Sequence, residues 1–130
     1  MYLDSSVLID YFRKPNKENT FFSYLSKDYD SFLVSVIIQY EVYIGATILQ
    51  KPFWDTVFNN VSSVPFTSEE MFTSIQIQSS LKPKRKSIDF KDLIIAATAL
   101  HHNTPLATIN EKYFIYIDGL QIITPSSYLP

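Results

Sequence analysis

Residues 89–102 read DFKDLIIAATALHH, and positions Leu93 to Leu100 carry aliphatic side chains throughout except for the hydroxyl of Thr98. A helix that is apolar on every side must be buried on several sides. Asp89 stands where a short acidic side chain caps a helix N-terminus, so the spacing predicts a helix from Asp89 to His102. Such a helix fits a crossover packed on a parallel sheet, and the surrounding sequence supplies the strands.

Downstream, Pro105–Thr108 and Leu120–Thr124 read as strands. Upstream of the basic loop LKPKRKS, residues 81–87, the Thr67 to Glu70 capping-box pattern introduces a helix over Ser68–Ser80. Val61–Pro65 is a strand, and Lys51–Asn59 a helix with Pro52 in its first turn and Phe53, Trp54 and Phe58 along it. Ser35 caps a helix reaching about Thr47, where Gly45 marks the end, although the β-branched run leaves a longer strand as the alternative. Ser31–Val34 is strand-like. Asn16–Ser26 reads as a helix with Phe21, Phe22 and Leu25 on its apolar side, Ser5–Phe12 as a helix stopping near Lys14 before Pro15, and Tyr2–Leu3 as a short first strand. Alternating strands and helices define an α/β fold, a three-layer sandwich with a mainly parallel central sheet of four to five strands and helices on both faces. With no repeat or linker in 130 residues, one domain spanning 1–130 is expected.

The bulk numbers exclude several functions. The net charge of -2 argues against binding nucleic acid through overall positive field, so any such contact needs a local basic patch. Absence of cysteine removes disulfides, thiolate metal sites and cysteine nucleophiles. The two glycines, Gly45 and Gly119, leave no Gly-rich phosphate loop. The aliphatic run at 93–100 is far below the roughly 20 residues that span a bilayer, and no basic region precedes an apolar stretch at the start. A cytoplasmic protein without membrane contact is expected.

Three acids resist an ordinary surface reading. Asp4 ends the first strand, at the edge of the sheet where α/β proteins collect functional groups. Glu41 has Ile37 four residues before it and Ile44 and Gly45 after it, within an apolar stripe where an unpaired carboxylate is costly. Asp92 opens the buried helix with Ile95, Ala96 and Ala99 on its own face. Singly, Asp4 reads equally as a cap, Asp92 as a first-turn acid favoured by the helix dipole, and Glu41 as the partner of a lysine or arginine. Together, three carboxylates converging on one crevice repel one another unless a divalent cation such as Mg²⁺ or Mn²⁺ neutralises them. A metal so held suits hydrolysis of a phosphodiester by an activated water.

Other chemistries fit less well. Ser5 and Ser6 lack a nucleophile-elbow context. His101 and His102 adjoin a helix C-terminus, where complementing the dipole outweighs metal ligation as their reading, and no HExxH spacing occurs. Lys82, Lys84, Arg85 and Lys86 form a local basic patch just before the helix of Asp92, suited either to RNA phosphates or to a solvated connector. The aromatics of the early helices read mainly as core, with a share left for an interface.

The segments MYLDSSVLIDYF, SVIIQYEVYIGA and DLIIAATALHHNTPLATINEKYF resemble, in order and spacing, the motif blocks of PIN-domain ribonucleases, and the size resembles the VapC-type toxins of toxin–antitoxin pairs. The resemblance implies a PIN-like fold and a metal-dependent endoribonuclease that hydrolyses RNA through a metal-activated water, with Mg²⁺ or Mn²⁺ as cofactor. It implies Asp4, Glu41 and Asp92 as the acids, Ser6, Thr108 and Asn110 as site support, and as partners an antitoxin and a second copy of the chain. Tyr113 stands where the family has a fourth acid, which Glu111 or Asp118 would have to replace. That departure leaves open a catalytically weakened module that binds RNA or protein. Asp10 and Asp89 stay outside the expected site.

Overall fold

The computed structural model describes residues 1–128. Five short strands, β1 (Tyr2–Leu3), β2 (Leu33–Ser35), β3 (Ser62–Val64), β4 (Leu106–Ala107) and β5 (Ile122–Ile123), form one sheet in the order β3-β2-β1-β4-β5. Every pairing is parallel. Six α-helices connect them: α1 (Ser5–Arg13), α2 (Phe21–Asp28), α3 (Val36–Gly45), α4 (Lys51–Asn60), α5 (Ser68–Leu81) and α6 (Phe90–His101). From β1 the chain steps outward to β2 and β3, then crosses back to β4 and β5 on the other side. Right-handed crossovers therefore put α1 to α4 on one face of the sheet and α5 and α6 on the other. The expected α/β sandwich is the observed one.

α6 is buried from Leu93 to Ala99, as its all-round apolar sequence requires, and it packs between the sheet and α5. Ile95, Ala96, Leu3, Val34 and Leu106 meet in the centre of the core. Truncating Ile95 to alanine there would cost roughly 2–5 kcal/mol. The crowded aromatics of the other face are mutual packing partners, with Phe12 on Trp54 at 5.2 Å between ring centroids and Phe22 on Phe32 at 5.0 Å.

The observed elements differ from the sequence reading at their ends. The expected helix from Asn16 divides into a 3-10 turn, Lys17–Asn19, and α2, because buried Thr20 caps α2 by accepting a hydrogen bond from the Ser23 N–H at 3.3 Å. The β-branched run after Ser35 is helical, since the Ser35 hydroxyl accepts from the Ile37 N–H at 3.1 Å and starts α3. β4 and β5 are two residues each, shorter than expected, because only those backbones pair. No helix of the described residues is long and apolar enough to cross a membrane.

A candidate acidic metal centre at the strand ends

β1 and β4 are adjacent but lead the chain in opposite directions, so a crevice opens beyond their carboxyl ends. The register pairs Leu3 with Ala107, which sets Asp4 beside Thr108. Asp4 is only 3% exposed. It occupies the N-cap position of α1 yet makes no side-chain cap bond. Its Oδ2 instead accepts from the Ser6 hydroxyl at 2.7 Å and the Thr108 hydroxyl at 2.8 Å. Ser6 Oγ in turn accepts from the Ile109 N–H at 3.1 Å, and Thr108 Oγ1 from the Asn110 N–H at 2.9 Å. Two hydroxyls thus fix one carboxylate oxygen, and the loop after β4 fixes the hydroxyls. Asn110 takes part through its backbone.

Asp92 lies in the first turn of α6, half-buried. Burial pushes its carboxyl up, and the carboxylates of Asp4, Asp89 and Glu41 push the same way against Lys91, to about 6. Asp4, Asp89 and Glu41 thus stand near enough to Asp92 for their charges to act on it. Glu41 departs from the sequence reading in being 43% exposed rather than set in a buried stripe, while its pairing with Lys91 Nζ at 3.2 Å is the lysine partner that the sequence left as the alternative. The apolar stripe around it is turned outward: Tyr40 and Ile44 are exposed, and α3 buries Ile38.

Two further charges belong to the cluster. Lys91 stands among Glu41, Asp92 and Asp4, whose carboxylates raise its pKa against the lowering effect of burial. A lysine in a first helical turn opposes the dipole, and that local misfit is the sequence signal for its pairing. Asp89 takes the N-cap position of α6 but makes no cap bond, and its charge acts on Asp92. Asp118, the other acid considered from the sequence, pairs with Lys84 at 2.7 Å.

The basic loop is exposed, with Lys84 and Lys86 tethered to the segment around Tyr116. Lys84 Nζ also donates to the Tyr116 carbonyl at 2.8 Å, and Lys86 Nζ sits 4.3 Å from the Tyr116 ring centroid. Arg85, Lys86, Lys112, Tyr113 and Tyr116 line a groove of about 260 Å³. Lys82 is exposed at the end of α5. Glu41 and Lys91 themselves line a separate groove of about 330 Å³, together with Ile9, Phe12, Val42 and Trp54.

The donor set fits a divalent cation. The carboxylates of Glu41, Asp92 and Asp4 act on the single ammonium of Lys91, and Asp89 adds its charge to Asp92, so the hard oxygen donors outnumber the cation that balances them.

A parallel α/β sheet with a hydroxyl-braced acid at the end of β1, beside the end of β4, defines a class of acidic-site domains. The PIN domain family model matches residues 1–120, and the chain belongs to the PIN-domain family. Ribonuclease VapC1 of Rickettsia felis is 33% identical over 107 residues, covering 76% of this chain and 80% of the relative. A toxin–antitoxin complex from Klebsiella pneumoniae contains a chain with TM-score 0.76 and 25% identity, over 95% of this chain and 96% of that one. DNA-bound VapBC from Salmonella typhimurium aligns with TM-score 0.83 and 16% identity, over 95% and 96%.

Proposed function

We propose that this chain is a metal-dependent endoribonuclease of the VapC kind, acting in the cytoplasm as one domain over residues 1–130. The observation that carries the reading is the Asp4 carboxylate, buried at the end of β1 and held on one oxygen by the Ser6 and Thr108 hydroxyls, close enough to Asp92 for its charge to act there. PIN-domain membership and similarity to ribonuclease VapC1 support the substrate class. Asp4, Asp92 and Glu41, with Asp89 beside them, would hold Mg²⁺ or Mn²⁺. When bound, such an ion supplies a water of lowered pKa and offsets the negative charge that develops on a phosphate.

The chain's own residues prepare the crevice. Ser6 and Thr108 donate to the same oxygen of Asp4, which leaves Oδ1 outside their hydrogen bonds and holds the carboxylate in one orientation. Asn110 keeps Thr108 in place through its N–H. Lys91 balances part of the carboxylate charge before any ion arrives. The groove of Arg85, Lys86, Lys112, Tyr113 and Tyr116, beside Lys82 and Lys84, offers cations for phosphates and rings for bases.

Two protein partners complete the proposal. The apolar groove along Phe12, Val42 and Trp54, next to Glu41 and Lys91, suits an apolar segment of an antitoxin. Tyr40, Ile44, Met71, Phe72 and Ile75 are exposed large apolar side chains available to a homodimer. The test is to incubate partner-free protein with structured RNA and Mg²⁺ or Mn²⁺. Cleavage is expected to stop with EDTA and in Asp4→Asn and Asp92→Asn. Cleavage that survives these changes rejects the mechanism.

A further inference from the structure

His101 ends α6 and His102 caps it, ten residues beyond Asp92 and therefore on the order of 15 Å away along the helix axis. These two are the only histidines in the chain. Their sequence reading was dipole complement, but both rings face the first turn of α5. Glu70 there is 2% exposed. Its Oε2 accepts from the Thr67 backbone N–H at 3.0 Å and from the Thr67 hydroxyl, which directs Oε1 at His102 Nε2, 3.0 Å away. His101 Nε2 lies 3.1 Å from Glu69 Oε2. One ligand atom from each of Glu70, His101 and His102 falls within 4.8 Å of the others.

A buried carboxylate needs a compensating charge. Among the described residues, the ion pair with His102 is the only one Glu70 makes. An imidazole supplies that charge only as imidazolium, whereas in its neutral form it becomes a metal ligand. Around a tetrahedral ion with bonds of about 2.1 Å, ligand atoms stand roughly 3.4 Å apart, so small rotations of the two exposed imidazoles close the set. The capping box supplies what a ligating carboxylate requires, an outer oxygen held by hydrogen bonds.

We propose that Glu70, His101 and His102 form a site for a divalent transition ion, best matched by Zn²⁺, with Glu69 available as a fourth ligand. Two imidazole donors separate it from the all-oxygen crevice, which prefers Mg²⁺ or Mn²⁺. A bound ion would clamp the start of α5 to the end of α6. Zn²⁺ titrated into Asp92→Asn protein carrying no histidine tag tests this, with the acidic crevice weakened as a competitor.

One equivalent of Zn²⁺ is expected to shift both imidazole spin systems in nitrogen-correlated NMR spectra, while millimolar Mg²⁺ leaves them in place. Calorimetry on the same protein should give one Zn²⁺ site, weakened roughly 100-fold in the His101→Ala/His102→Ala variant. Because the alanine variant leaves buried Glu70 without its ion pair, His101→Gln/His102→Gln, whose amides keep a donor toward the carboxylates, serves as the second variant and is expected to lose the Zn²⁺ site equally. Imidazole signals unmoved by Zn²⁺, or an unchanged affinity in either double variant, overturns the proposal.

Discussion

Lys91 Nζ lies 3.2 Å from Glu41 Oε2, joining the first turn of α6 to α3 at the rim of the acidic crevice. Both side chains are more than a third exposed, so the pair adds at most about 1 kcal/mol to stability. Its larger effect is electrostatic, because Lys91 opposes the rise of the Asp92 pKa. Lys91→Met is expected to move the Asp92 midpoint above about 6 in a carboxyl-carbon NMR titration of metal-free protein. A midpoint that stays in place would mean that Lys91 does not act on Asp92.

The raised Asp92 pKa also makes a prediction about stability. The folded carboxyl titrates near 6 against an ordinary 3.8, so the folded state holds the proton more tightly than the unfolded chain. The group's contribution is most favourable below about 4 and is lost as pH rises through about 6. Asp92→Asn should therefore stabilise metal-free protein at pH 7.5 and change little at pH 4. After allowance for solvent screening at this half-exposed group, the gain is about 1 kcal/mol. Thermal melts in EDTA at the two pH values decide it, and equal shifts at both would remove Asp92 as the cause.

Tyr113 and Asp89 together concern the absent fourth acid. Tyr113 lines the basic groove with Arg85, Lys86 and Lys112, while Asp89 already adds its charge to Asp92. Tyr113→Asp is expected to leave kcat for RNA cleavage near its starting value and to raise KM. Tyr113→Ala should raise KM roughly 5- to 100-fold through lost stacking. Asp89→Asn should weaken Mn²⁺ binding, measured by calorimetry. A large kcat gain in Tyr113→Asp would show that the missing carboxylate limits turnover.

The all-round apolar run at 93–100 and the capping residues Ser35 and Thr67 made the layer order legible in the sequence, because each reports a local requirement of burial or hydrogen bonding. The placement of Asp4 at the end of β1 and of Asp92 in the first turn of α6 was legible for the same reason. The exposure of Glu41 was not, since a helical stripe of Ile37, Ile44 and Gly45 reads as buried whether a core or a partner covers it. Asp89 and the two histidines were assigned to capping, a role that sequence position alone allows. Which oxygens a cap leaves free depends on α3 and α5, brought in from distant parts of the chain.

Tyr2 yields a last prediction from the centre of the core. It is fully buried on β1, and its hydroxyl has no hydrogen-bond partner among the described residues. Thr98 and Ser35 lie close to it, but the Thr98 hydroxyl donates to the Ile94 carbonyl at 2.8 Å and Ser35 Oγ accepts from the Ile37 N–H. Burial pushes the phenol up to about 12, so it stays neutral at working pH and the unpaired hydroxyl is a fixed cost. Such a group costs about 1–3 kcal/mol, and phenylalanine keeps the ring while removing it. Tyr2→Phe is expected to raise stability by about 1 kcal/mol, which for a chain of this size is roughly 3–5 °C in Tm. A fall in Tm of that size would instead show that the hydroxyl is bonded in solution to Thr98 or Ser35.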